Sequence, residues 1–331
     1  MSHSVTVIAT VLDEIEAIDP LLASLLAQSR LPDEVVIVDG GSADGTWERL
    51  LSWQEKSRVP LKILSVPGCN IAQGRNHAIA EASSEVIAVT DAGVRLSATW
   101  LEALTAPFST SDNPDVVSGF FEADPHSLFE IVLGAITLPR LAEVNPANFQ
   151  PSSRSVAFKR TAWLSVEGYP EWLDYCEDLV FDFALRDAGL RFAFAPKALV
   201  WFRPRSSLRA FYRQYYRYGR GDGKADLYLW RHLIRYSTYL LAMPGLILLA
   251  VLIHPLLLVA LALGILAIFW RPLIRSWPAL ARLPMQQALL GLVWVPVIVF
   301  TGDIAKMLGY PAGVVWRWRN APKTPWARRQ L

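Results

Sequence analysis

The sequence predicts an α/β protein, a mostly parallel sheet flanked by helices, followed by C-terminal membrane helices. Short apolar runs at Val5–Val11, 35–38, 61–66 and Val86–Val89 alternate with helix-like segments at 15–28, Thr46–Gln54 and 73–82, which is the rhythm of βαβ units. Those runs are apolar nearly all round, so the strands should be covered on both faces, with ligands at their carboxyl ends. Further on, residues 236–270 form 35 consecutive positions without Asp, Glu, Lys or Arg, and 283–302 supply another 20, where about 20 suffice to cross a bilayer.

Composition agrees with that division. Of 331 residues 53% are hydrophobic and the mean hydropathy is +0.27, which excludes a disordered chain and disfavours a purely soluble one. The net charge of +2 hides an asymmetry: residues 1–206 carry 16 Lys and Arg against 27 Asp and Glu, and residues 207–331 carry 16 against 3. An acidic folded half joined to a basic apolar half suits a membrane surface and argues against nucleic acid as a partner. Cys69 and Cys176 are too few for a disulfide scaffold and read as buried fillers in a reducing compartment. The first residues run straight into a strand pattern, so no secretory signal is expected.

The first strand ends at Asp13-Glu14, and the second runs into Asp39-Gly40-Gly41-Ser42-Ala43-Asp44-Gly45-Thr46. A carboxylate at a strand end before a glycine turn can accept hydrogen bonds from a base or ribose while bare backbone lets the ligand approach. The same residues also read as a turn in which Asp44 caps the next helix. Gly74-Arg75-Asn76 lies in the following helix, where Arg75 either reaches over the sheet edge toward phosphate or ribose or forms a surface ion pair. Thr90-Asp91-Ala92-Gly93 ends the fourth strand with a carboxylate of the kind a hard divalent cation shares with diphosphate oxygens. After a looser stretch (a helix near 98–107, strands near 115–120, 154–159 and 191–194, and a variable region to about Pro151) Glu177-Asp178 opens an amphipathic helix. There a carboxylate could serve as general base or merely as an N-terminal helix charge.

These motifs resemble the family 2 glycosyltransferases of the GT-A fold, and within them the membrane-anchored bacterial enzymes of exopolysaccharide (succinoglycan-type) or lipid-linked sugar synthesis. The similarity spans most of residues 4–224. Residues 38–46 resemble the family's Val-Asp-Asp-Gly-Ser-x-Asp-Gly-Thr signature, and Gly74-Arg75-Asn76 its Ala-Arg-Asn region. Asp13 replaces the usual Asn of the first strand. Thr90-Asp91-Ala92-Gly93 stands where the family has Asp-x-Asp, with Gly93 in place of the second acid, and residues 155–163 with 168–171 resemble the acceptor-side segment. Glu177-Asp178 matches the Glu-Asp pair, and Gln214-Tyr215-Tyr216-Arg217-Tyr218 resembles Gln-x-x-Arg-Trp with Tyr218 for Trp. The resemblance implies donor contacts from Thr10, Glu14, Asp39, Gly41, Arg75, Asp91, Gly93 and Arg217, and acceptor contacts from Gln214 and Tyr218. It implies a Mg²⁺ or Mn²⁺ ion on Asp91, and catalysis by Asp178 with Glu177 as second choice.

The expected activity is inverting, hexosyltransferase-type transfer of a sugar from a nucleotide-diphosphate sugar to a lipid-linked saccharide or polyprenyl phosphate. Its alternative is a membrane-tethered nucleotide-sugar-binding protein without catalysis. The expected organisation is a catalytic domain at 1–206, an interfacial amphipathic helix at 207–235, a membrane region at 236–316 and a basic tail at 317–331. The long apolar run should fold as a hairpin of spans 236–253 and 256–270 turning at His254-Pro255. Arg235, Arg271, Arg275, Arg282, Arg317, Arg319, Lys323, Arg328 and Arg329 should stay cytoplasmic with the catalytic domain, making a multi-pass inner-membrane protein. To keep the tail inside as well, 283–302 is expected to be re-entrant or interfacial, broken by Pro296, Gly302 and Pro311, with Asp303 buried near the membrane surface. A full crossing is the alternative.

Overall fold

The computed structural model describes residues 3–320. They divide into a first unit, Met1–Asp124 with Pro139–Arg203, and a second, Pro125–Leu138 with Pro204–Leu331.

In the first unit β1 (Val5–Val11), α1 (Ile15–Leu26), β2 (Glu34–Asp39), α2 (Thr46–Gln54), β3 (Leu61–Ser65), α3 (Ile71–Glu81) and β4 (Val86–Val89) realise the expected alternation. Then follow β5 (Val94–Leu96), α4 (Trp100–Thr105), β6 (Val116–Ala123) and, in the second unit, α5 (Leu128–Thr137). The chain returns through β7 (Val156–Lys159), α6 (Arg160–Ser165), α7 (Glu177–Asp187) and β8 (Phe192–Phe202). One eight-stranded sheet has the order β3-β2-β1-β4-β7-β6-β8-β5. β1 to β4 are parallel neighbours, β7 is antiparallel to both β4 and β6, and β8 is parallel to β6. Side chains alternate across the sheet as strand geometry requires. Val5, Val7, Ala9, Val35 and Ile37 bury against α1, α2 and α4, whereas Ile8, Val36, Val38, Ile87 and Val89 bury against α3, α6 and α7. Helices on both faces explain why the parallel strands carry no polar stripe.

In the second unit the chain continues as α8 (Leu208–Lys224), α9 (Leu229–Tyr236), α10 (Met243–Leu252), α11 (Leu257–Leu280) and α12 (Met285–Asn320). The single interfacial helix expected over 207–235 is instead two, because Asp226 and Tyr228 adopt positive φ and turn the chain between α8 and α9. α9 runs through a wide turn at Ser237–Ala242 into α10, so the first apolar span is Leu229–Leu252. His254-Pro255 makes the expected turn, and the second span, Leu257–Leu280, is longer than 256–270, with Pro272 and Pro278 inside it. The break expected in the third segment is absent: α12 is one 36-residue helix that contains Pro296 and Pro311. It too is long and apolar enough to cross a membrane by length and composition. Of the basic tail, Lys323, Arg328 and Arg329 lie outside the described residues.

Backbone contact holds α8 on α12. A Cβ on Gly223 would lie 2.2 Å from the Tyr310 carbonyl oxygen, one on Gly309 2.1 Å from that of Tyr216, and one on Gly313 2.1 Å from that of Arg220. Only glycine permits this approach. The course of α12 past the hairpin follows from four contacts. Gly291 meets Leu280, Phe300 meets the rings of Phe269 and Tyr239, and Asp303 accepts from Arg235 Nε at 2.6 Å and from the Tyr239 hydroxyl at 2.8 Å. Tyr310 stacks on His232, whose Nε2 lies 3.1 Å from Asp222. From Gly291 to Tyr310, roughly 28 Å at 1.5 Å per residue, α12 thus passes from Leu280 at the open end of the hairpin, by Phe269 and Tyr239 within its spans, to Arg235 and His232.

Candidate active site

The carboxyl ends of β1, β2 and β4 form one edge of the first unit. Asp39, at the end of β2, is 2% exposed. Its carboxylate accepts from the backbone N–H of Gly41 at 3.2 Å and of Ser42 at 3.1 Å, and from the Ser42 hydroxyl. Gly41 has φ +98 with Pro67 against it, a conformation few other residues accept. The turn is sewn to the end of β1. Asp13 accepts from Ala43 N at 2.8 Å, Glu14 N donates to the Thr46 hydroxyl at 2.9 Å, and Asp44 accepts from Ile15 N at 3.1 Å. The turn is present as expected and holds Asp39 at the sheet edge; Asp44 accepts from Thr46 N at 3.0 Å at the start of α2, while the N-cap position itself is Gly45. Thr10 packs against Gly74, where a Cβ would come within 2.8 Å of its methyl group.

Arg75 does not reach over the edge toward solvent. It is 2% exposed, donates through Nη1 to Glu177 at 2.6 Å and through Nη2 to Asp91 at 3.1 Å, and lies 5.4 Å above the Tyr169 ring. A capping box of Asn70 with Gln73 starts α3. Its neighbour Asn76 clasps the segment before α7, donating to the Tyr169 carbonyl at 2.9 Å and accepting from the Trp163 indole at 3.0 Å. Gly74-Arg75-Asn76 thereby carries α7 to the edge of β4. Asp91, Glu177 and Asp178 form one cluster around Arg75, and Asp39 stands two strand spacings away, roughly 10 Å.

Electrostatics separates the acids. Burial and the neighbouring Asp178 push the Glu177 carboxyl up to about 7, against the pull of Arg75. Burial lowers the Arg75 pKa, but Glu177 and then Asp91 more than reverse it, so the guanidinium stays charged. One turn beyond Asp178, the buried Asp182 is raised well above the carboxylate range by burial and by Asp178, and its Oδ2 has no partner among the described residues. Asp178 is partly exposed and its Oδ1 accepts from the N–H of Leu179 at 2.8 Å. That is the exposure a base at a substrate cleft needs.

Asp91 is 31% exposed, and a Cβ on Gly93, two residues on, would meet nothing within 4 Å. Among the described residues no three His, Cys, Asp or Glu side chains are grouped to hold a metal ion. Asp91 with open backbone beside it still fits the minimal arrangement for a hard cation, one carboxylate with the remaining oxygens supplied by phosphate. Sequence reasoning passed over Arg154, whose guanidinium lies 3.9 Å from Asp91; only the pairing of β7 with β4 reveals it. In the second unit Gln214 donates to the Tyr218 hydroxyl at 2.9 Å across one turn of α8, and Arg217 on the same helix is exposed.

The structure resembles the mannosyltransferase PcManGT from Pyrobaculum calidifontis, solved with GDP-Man and Mn²⁺, at TM-score 0.58 and 17% identity over 98% of this chain and 89% of that one. It also resembles GalNAc-T7, solved with UDP, GalNAc and Mn²⁺, at TM-score 0.51 and 14% identity over 67% of this chain and 48% of that one. A curated relative, the cholesterol galactosyltransferase of Borreliella burgdorferi, is 26% identical over 119 residues, 36% of this chain and only 33% of that protein. Residues 6–168 match the profile of Glycosyl transferase family 2, and residues 142–301 that of Glycosyl transferase family group 2. The chain belongs to the family 2 glycosyltransferases, with a GT-A catalytic fold and C-terminal apolar helices.

Proposed function

We propose that the protein transfers one sugar, with inversion, from a nucleotide-diphosphate sugar to a hydroxyl or phosphate oxygen of a membrane-associated lipid-linked acceptor. The observation that carries this reading is the cluster of Asp91, Glu177 and Asp178 around buried Arg75, with the partly exposed Asp178 beside it. Asp39 and the Gly41 turn hold the nucleoside. The acceptor oxygen attacks the anomeric carbon as the bond to the diphosphate breaks, and Asp178 takes the acceptor proton. Glu177 and Arg75 position α7 and set the charge around that base. Asp91 would hold Mg²⁺ or Mn²⁺, which supplies Lewis-acid charge to the departing diphosphate when bound. Arg217 is assigned to the donor diphosphate, and Gln214 and Tyr218 to the acceptor. The three apolar helices and the cholesterol galactosyltransferase among the relatives support the membrane acceptor, and the basic residues flanking the hairpin support a cytoplasmic active site at the inner membrane.

The test is an assay of detergent-purified protein with labelled sugar nucleotides and lipid extract, with and without EDTA. Asp178→Asn should lower turnover roughly 10²–10⁴-fold and leave donor binding largely unchanged. Near-native turnover in Asp178→Asn would remove the base assignment, and donor binding without any transfer by the wild type would favour a tethered binding protein.

A further inference from the structure

We propose that Arg154 binds the donor's diphosphate and supplies the positive charge that a cation held by a second acid at position 93 would otherwise bring. This rests on the nucleotide-sugar reading of the site. The sheet itself places the residue. β7 runs antiparallel to β4 with Val86 opposite Lys159 and Val89 opposite Val156, so continuing the register two residues sets Arg154 opposite Asp91. The Thr90 hydroxyl donates to the Arg154 carbonyl at 3.1 Å, fixing the backbone there. A bridge between Ser152 and Ser155 closes the turn that carries the side chain.

The guanidinium is held but not used up. Its plane stacks 4.3 Å over Phe202, with Phe121 5.9 Å away, and Nη1 donates to the Ser152 hydroxyl at 3.2 Å. Its Nε stands 3.9 Å from Asp91, too far for a hydrogen bond, and the side chain is 26% exposed. Arg75, by contrast, is buried and spends both terminal nitrogens on Asp91 and Glu177. Of the two arginines at Asp91, Arg154 is the one with an exposed edge. Three carboxylates in the cluster repel an incoming diphosphate. A stacked, pre-oriented guanidinium matches phosphate geometry with two parallel N–H groups and loses little side-chain entropy on binding.

The probes are UDP and GDP, compared with UMP and GMP, titrated calorimetrically into the full-length detergent-purified chain in EDTA, where no cation can substitute. Arg154→Gln should weaken the diphosphate that binds by about tenfold to hundredfold, while the matching monophosphate loses about threefold or less. Arg154→Lys keeps the charge but loses the fork and should fall between. It also serves as the folded comparison should the glutamine variant melt early. Equal affinity in Arg154→Gln and wild type, or equal losses for diphosphate and monophosphate, would overturn the proposal. Binding by the wild type only when Mn²⁺ replaces EDTA would also overturn it, whereas a wild type that binds none of the four with or without Mn²⁺ would instead sink the nucleotide reading on which it rests.

Discussion

Arg75 shows how a residue's task depends on burial. An exposed arginine would offer its guanidinium to a ligand; here both ends close on carboxylates, and removing it would strand Asp91 and Glu177 without their countercharge. Arg75→Leu should cost about 3–5 kcal/mol in denaturant unfolding, the range for breaking a buried ion pair, far beyond a surface substitution. Glu177 makes a pH-dependent prediction. Its folded pKa is raised from 4.5 to about 7, so the folded state holds the proton more tightly than the unfolded chain. Ionising it is then a cost that is absent below the unfolded value and grows as pH rises through the folded one. Melting curves should therefore show Glu177→Gln gaining stability relative to wild type between about pH 5 and about pH 8. A constant difference across that window would mean Glu177 is ionised throughout. Asp91, Glu177 and Asp178 could be named from sequence because strand ends and helix starts are local features. Arg154 could not, since its place depends on which strand lies beside β4.

At the scale of elements, the βαβ run from β1 to β4 was legible because continuous apolar strands and intervening amphipathic helices are written in the local pattern. β8 extends to Phe202, well past 194, because its far half pairs with β6 and β5 rather than following any periodicity of its own. α5 was missed inside the variable stretch. Its residues Phe129, Val132 and Leu133 join a core with Phe211, Leu280, Val295 and Ile298 that no nearby sequence announces. The proline rule failed in α12 for a related reason: contact with α5, α8, α9 and α11 can offset one lost hydrogen bond per proline. The seam between α8 and α12 can be tested. Gly309→Leu puts a side chain into the Tyr216 backbone, which cannot retreat as a flexible side chain could. Limited proteolysis should cut that variant within α8 under conditions where the wild type stays intact, and Gly264→Leu, at a glycine with open space around it, should behave as wild type.

For the molecule as a whole, the course of α12 bears on membrane topology. Both Gly291 and Asp303 meet the end of the hairpin marked by Leu280 and Arg235. If α12 lies across that end instead of spanning the bilayer, Arg317 and Arg319 stay on the side where the hairpin begins, as the charge rule asks. With Cys69 and Cys176 replaced by serine, a cysteine at Arg319 should label from the same side of the membrane as one at Glu48, and one at His254 from the opposite side. Labelling of positions 319 and 254 from one side would show that α12 crosses. Amino-acid order alone determined the alternating sheet, the acidic strand ends, the glycine turn and the apolar hairpin, because each depends on residues within a few positions of one another. Tertiary structure alone decided that Arg75 is buried between two acids, that Arg154 lies opposite Asp91, and that α12 stays whole across its prolines. Each of these depends on neighbours distant in the chain, whose approach is set by sheet register and packing rather than by local preference.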